Sequence, residues 1–246
     1  MNGLGIVTAL AAESRPLGRP SRHREQPATL ADGTLLIVSG VGAAAAAQGA
    51  RRLAAAGAGA LISWGMAGGL DPALAAGTLV LPSEVVSPDG TRFLTAHDWR
   101  ERTSRAIAPL GPLCGGRLLT SREPLSSIAA KALAFRDTAA VAVDMESSAV
   151  AEVAAEARLP FLAVRAIVDT AAEAVPQAAL AATTPGVGAT SLGQVLGALI
   201  RMPWELPAMI RLASGYAAAR RSLAAVAHSG ALAPESLRPV AGRPLQ

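Results

Sequence analysis

The segment AVAVDMESSAVAEVAAEARLPFLAVRAIVDTA, residues 140–171, decides the fold. VAV and FLAVRAIV are short runs rich in β-branched residues and read as buried strands, and SSAVAEVAAEA between them reads as a helix. Together they form one strand–helix–strand unit. Ligands of such units collect beyond the carboxyl ends of the parallel strands, which is where Met145, Glu146 and Asp169 fall.

Upstream, the run LGIVTAL gives out at Ala11-Ala12-Glu13, so Glu13 stands at the end of a first strand, before the polar connection RPLGRPSRHREQP. TLLIVSG is a second strand, followed by Gly40, Gly42 and the helix former AAAAAQGARRLAAAG. Gly40-Val41-Gly42 with Ala45 matches the dinucleotide pattern G-x-G-x-x-A, but the acidic residue expected about 20 positions on is missing. Apolar Leu61-Ile62 stands there instead. These glycines read as a turn passing close to a ligand or another backbone. ALISWGMAGGL is a strand running into small residues, Gly65 to Gly69, read either as amides open to an anion or sugar or as a tight turn. GTLVLPSEVVS is a further strand pair, RFLTAHDWRERTSR a loop or helix, GRLLTSREPLS a strand with a turn at 121–124, and IAAKALAFRD a short helix.

This alternation predicts an α/β fold with three layers, α/β/α, around a central mixed, mostly parallel sheet, plus C-terminal amphipathic helices. The main domain is expected over residues 1–200, a helical extension of it over 201–228 with breaks at Pro203 and near Pro207, and a disordered tail over 229–246.

Composition narrows the function. The net charge is +4, but the basic residues are scattered, Lys131 is the only lysine and aromatics make up 3%, which leaves little to stack bases and argues against a nucleic-acid partner. One cysteine, Cys114, allows neither a disulfide framework nor a cysteine metal cluster. His23, His97 and His228 are too dispersed for a zinc site, and no G-x-S-x-G elbow accompanies His97-Asp98, so no metal or cofactor is expected. The amino terminus lacks a basic n-region, and no apolar run approaches the ~20 residues of a membrane span. The expected location is cytoplasmic.

Three carboxyl groups, Glu13, Glu146 and Asp169, fall at strand ends. One held protonated in a half-apolar pocket is a general acid, and others serve as base or grip hydroxyls. From the residues alone this fits glycoside hydrolysis and nucleoside cleavage equally well.

GIVTALAAE, SGVGAAAAAQGA, WGMAGGLDPALAAGTLVLP, VDMESSAVA and PFLAVRAIVD, in that order, resemble motifs of the purine nucleoside phosphorylase and nucleosidase superfamily, in particular the 5′-methylthioadenosine/S-adenosylhomocysteine nucleosidases. The resemblance runs from about Gly5 to about Leu199. It implies that Asp169 protonates purine N7, Glu13 activates the attacking water, Glu146 accepts the ribose hydroxyls with Met145 against the sugar, and Arg165 orders the network near Glu13. Met66, Ala67 and Gly68 would line the substrate, and backbone groups around Leu125 and Ser126 would hold adenine.

The chain departs from the family pattern at three places, all toward a more apolar pocket: Met66 for the usual serine, Leu125 for the base-stacking aromatic, and Val168 for the serine before the aspartate. IRMPWELPAMIRLASGYAAARRSL alternates bulky apolar residues with arginines, as an interfacial helix or one packed on the sheet would. With these features the chain resembles the hopanoid-associated branch, whose substrate is adenosylhopane, a purine nucleoside with a large apolar 5′ substituent. The expected product is ribosylhopane, the expected assembly a homodimer, and the expected membrane contact peripheral, on the inner face, through residues 200–225. The alternatives are phosphorolysis with phosphate as co-substrate, a methylthioadenosine/S-adenosylhomocysteine nucleosidase, and a nucleoside-binding membrane-surface protein without activity.

Overall fold

A computed structural model of the chain describes residues 3–21, 26–180 and 203–233. In chain order the elements are β1 (Gly3–Thr8), α1 (Ala11–Ser14), β2 (Ala28–Thr29), β3 (Leu35–Val38), α2 (Ala43–Ala55), β4 (Ala58–Gly69), β5 (Leu79–Val80), β6 (Glu84–Val86), β7 (Arg92–Leu94) and α3 (His97–Ile107). They continue with β8 (Leu113–Cys114), β9 (Arg117–Thr120), α4 (Ile128–Thr138), β10 (Ala140–Asp144), α5 (Ser147–Glu156), β11 (Phe161–Asp169) and α6 (Gln177–Leu180), and close with α7 (Leu206–His228).

β4 is the axis of the sheet. It pairs in parallel with β1, up to Thr8 opposite Trp64, and in parallel with β11, from Phe161 opposite Leu61 to Asp169 opposite Gly68. Its last residues turn away to meet β10 antiparallel, at Gly68 and Gly69. The remaining order is β2-β3-β1-β4-β10-β9-β6-β7, with β5 and then β8 on the free side of β11. The long ladders are parallel and the short ones at the edges mostly antiparallel, so the sheet is the mixed, mostly parallel one expected.

Alternation along the strands sends Val7, Leu61, Ala163 and Ile167 to the face covered by α2 and α5. Leu4, Ile6, Ile62, Trp64, Leu162 and Val164 go to the other face, with Trp99 of α3 and Ala219, Leu223 and Val226 of α7. Both faces bury continuous apolar clusters, which makes the three layers.

Four sequence readings change. The small residues 65–69 continue β4 instead of forming a turn, because β11 runs beside them and supplies hydrogen-bond partners as far as Gly68. β7 lies in a stretch read as loop or helix. α7 is unbroken at Pro207, which occupies the first turn of the helix, where a proline leaves no intrahelical hydrogen bond unmade. The segment expected to be a tail begins packed: Ala231 and Leu232 are buried, and Trp99 Nε1 donates to the Leu232 carbonyl at 2.9 Å. Residues 181–202 and 234–246, which include part of the expected helical extension and most of the tail, lie outside the described residues.

The seat of α7 on β11 is tight. A register shift falls between Ile167 and Asp169, leaving Val168 as an extra residue just before the aspartate. Gly215 of α7 packs on that residue so closely that a Cβ would lie 2.0 Å from the Val168 carbonyl oxygen. Since the obstacle is backbone, Gly215→Ala is expected to push the helix off its seat and cost about 1–3 kcal/mol, read by chemical denaturation.

Candidate active site

At the carboxyl ends of β1, β4, β10 and β11 lies a cavity of about 380 Å³. Among the described residues four carboxylates border it, Glu13, Asp144, Glu146 and Asp169, and no lysine or arginine does. Each carboxylate is placed by a different local device.

Glu13 sits in α1, the single helical turn after β1. Its carboxylate reaches back to accept the amide of Leu10 at 3.1 Å, as an acidic residue three positions into a helix does. The same oxygen accepts from the Thr8 hydroxyl at 3.0 Å, and the other accepts from the amide of Met66 on β4 at 2.9 Å. The Glu13 carbonyl is fixed by Trp64 Nε1 at 3.0 Å. Gly65 leaves room for all this, since a Cβ there would stand 2.9 Å from a Glu13 oxygen. The glycine run is therefore needed for close approach of a side chain. Burial pushes the Glu13 carboxyl above its usual range, against the opposing pull of the Met66 amide, the Arg165 charge, the Thr8 hydroxyl and the Leu10 amide.

Glu146 stands just before the first turn of α5 and accepts the amide of Gly42 at 2.8 Å and its neighbour Met145's at 3.3 Å. Gly42, at φ +97°, is in the left-handed region that glycine adopts freely. The turn 40–42 therefore approaches a side chain of its own chain. Burial first, then the charge of Asp144, push Glu146 up to about 7, while Arg165 and the Gly42 amide pull it down. Because the folded value exceeds the unfolded one, stability falls as pH rises from about 4.5 through about 7. Glu146→Gln is expected to flatten that part of a plot of melting temperature against pH.

Asp169 ends β11 and is buried at 7% exposure. Its Oδ2 is in contact with the ammonium of Lys131, which also donates to the carbonyls of Thr170 at 2.7 Å and Glu173 at 2.8 Å. Burial raises the Asp169 carboxyl, Lys131 works against that rise, and Glu173 adds to it.

Arg165 stands behind the cavity wall. Its Nε donates to Asp144 Oδ2 at 2.8 Å, and its Nη2 donates to the hydroxyls of Ser63 at 2.7 Å and Ser147 at 3.0 Å. Thr120 closes the set by donating to Asp144 Oδ1 at 2.9 Å. This is a buried ion pair with its remaining donors satisfied, and losing one partner of such a pair costs about 3–5 kcal/mol. Its charge reaches Glu13 and Glu146 through space only.

Of the residues singled out in the sequence, Glu13, Met66, Ala67, Gly68, Leu125, Met145, Glu146 and Asp169 line one cavity. Arg165 does not border it, being held back by Asp144, and Ser126 does not either: its carbonyl accepts the amide of Val175. Sequence reading passed over Asp144 and Lys131. Each carried a signal, an acid ending an apolar strand and the sole lysine amid alanines in IAAKALAF. It also passed over the far wall, Val175, Ala179, Leu180, Leu212 and Tyr216, which tertiary packing alone brings in. Among the described residues no cluster of His, Cys, Asp and Glu could hold a metal ion.

The model of the phosphorylase superfamily matches residues 7–201. No curated protein matches the chain by sequence. Among solved structures, the chain is similar to the futalosine hydrolase of Helicobacter pylori, at 16% identity and a TM-score of 0.68 over 93% of this chain and 96% of that one. It is similar to the 5′-methylthioadenosine/S-adenosylhomocysteine nucleosidase from Neisseria meningitidis in complex with methylthio-immucillin-A, at 18% identity and 0.64 over 92% and 98%. A third is the nucleosidase of the same name from Colwellia psychrerythraea in complex with adenine, at 22% and 0.59 over 69% and 83%. At these identities the likeness is one of fold.

Proposed function

The chain belongs to the phosphorylase superfamily, and we propose that it hydrolyses the N-glycosidic bond of a purine nucleoside bearing an apolar 5′ substituent, releasing adenine. The observation that carries this reading is the convergence of Glu13, Glu146 and Asp169 on one cavity, with no cationic side chain in its lining among the described residues. In the proposed reaction the bond from C1′ to the base breaks while a bond from C1′ to water oxygen forms. Asp169 gives its proton to N7 of the departing base, and Glu13 takes one from the water. Glu146 accepts hydrogen bonds from the ribose hydroxyls. Positive charge builds on the sugar as the bond breaks, and nearby carboxylates stabilise it.

Water is favoured over phosphate by electrostatics. A phosphate dianion beside Glu13 would meet like charge in a site where burial weakens screening. Met66 gives its amide to Glu13, and Gly42 gives its amide to Glu146, so neither is left for an anion.

The apolar substituent is supported by the far wall, to which Leu212 and Tyr216 of α7 contribute together with Val175 and Leu180. A cavity of about 380 Å³ suits a nucleoside but not also a polycyclic tail. Such a tail would leave past the start of α7, where Trp204 is 72%, Leu206 47% and Ile210 58% exposed. Adenosylhopane has this chemistry, and we infer it as the substrate, with the start of α7 touching the membrane that stores such lipids and a homodimer as the assembly. No helix among the described residues is long and apolar enough to cross a membrane.

The test is adenine release in phosphate-free buffer from adenosines carrying 5′ groups of rising apolar size. Turnover without phosphate, with KM falling as the group grows, is expected. Release only after phosphate is added overturns hydrolysis, and a preference for 5′-methylthioadenosine overturns the large substituent.

A further inference from the structure

We infer that Lys131 is the positioning residue of the acid: its ammonium fixes the Asp169 carboxyl group and balances the charge left there when Asp169 gives up its proton. The inference rests on the nucleosidase reading of Asp169.

Lys131 lies inside α4, fully buried at 0% exposure, in a helix whose neighbouring residues are mostly alanine. A lysine is rarely enclosed in this way unless paired. Here all its partners belong to the end of β11 and the turn after it: Asp169 Oδ2 and the carbonyls of Thr170 and Glu173. Three donors meet three acceptors, so the ammonium has neither slack nor solvent. With Oδ2 held, Oδ1 is the oxygen available to a base. The two backbone contacts also tie down the turn that leads to Val175 and the cavity wall, and Glu173 closes that turn on itself by accepting the Thr170 amide at 2.9 Å.

Burial on its own would make Asp169 too weak an acid to yield its proton near neutral pH, and an adjacent cation corrects this by stabilising the carboxylate formed. The charged groups acting on Asp169 are Lys131 from α4 and Glu173 from the following turn; Glu173 is itself within 4.0 Å of Arg211 on α7. Lys131 is the one cation in contact with the acid among the described residues.

The sole lysine makes the test direct. With ¹⁵N-lysine labelling, the side chain gives one Nζ signal, which is expected to report a charged ammonium, to shift when adenine binds, and to lose its response to pH in Asp169→Asn. In activity, Lys131→Met is expected to move the alkaline limb of the kcat profile up by about 1–3 pH units, and to lower the plateau by at least about 10-fold. A lysine serving the fold alone would lower stability and leave the limb where it was. An unmoved limb in a folded variant overturns the inference; so does an Nζ signal indifferent to both adenine and Asp169→Asn, which needs no lysine variant to fold. A wild-type protein that cleaves no purine nucleoside would sink the nucleosidase reading separately, with the Nζ response to Asp169→Asn still measuring the pair.

Discussion

Asp169→Asn is expected to lower kcat by about 10²- to 10⁴-fold, the usual contribution of a positioned general acid. Folding should survive, because the Asn oxygen can still face Lys131 and the lysine keeps the carbonyls of Thr170 and Glu173. Adenine should still bind. The role is separated from a general loss by a nucleoside whose purine is already methylated, and so cationic, at N7. Its base departs without needing a proton, so wild type and variant should cleave it within about 10-fold of each other, a difference of at most roughly 1.4 kcal/mol. An equal drop on both substrates would remove Asp169 from the acid's role.

Glu13→Gln is expected to cost a similar factor, about 10²- to 10⁴-fold in kcat, for a different reason. Three donors converge on this carboxylate, the Thr8 hydroxyl and the amides of Leu10 and Met66, and an amide side chain can turn an acceptor toward only some of them. The base is lost, and a donor is left facing a donor. Wild-type activity should fall at low pH as Glu13 takes up a proton, and the variant's residual activity should lack that limb. The stability effect has the opposite sign. With the folded carboxyl raised above 4.5, ionisation destabilises the fold as pH climbs through the folded value, so wild type loses stability across a range where the variant does not. A stopped-flow or discontinuous adenine assay across pH checks the first part, and thermal melts across the same range check the second. A variant with the acidic limb intact would show that another group serves as base.

The layered fold was legible because its strands are short β-branched runs separated by alanine-rich helices, and that pattern survives without tertiary information. Glu13, Glu146 and Asp169 were legible for the same reason, as acids placed where strands end. What escaped depended on distance in sequence. Arg165, expected to order the network near Glu13, gives its hydrogen bonds to Asp144, 21 residues away, and to Ser63, 102 away, and acts on Glu13 through its charge. Gly65 and Gly42 looked like parts of turns open to a ligand, and the structure gives their space or their amide to Glu13 and Glu146. Tyr216 and Leu212 carry no local mark of a binding residue; the Gly215 contact with Val168 brings their helix to the cavity.

The place of β11 in the sheet also governs how the chain can assemble. It lies beside β4, inside the sheet, although among the described residues it is the last strand to be synthesised. Until residue 169 has emerged, β4 has a long apolar edge without its parallel neighbour, and the β5–β8 pair lacks the strand that joins it to the sheet. Pairings this distant in sequence form slowly, and an open edge meanwhile invites association with other chains. Folding is therefore held back until the acid-bearing strand arrives, and chains stalled short of it should aggregate.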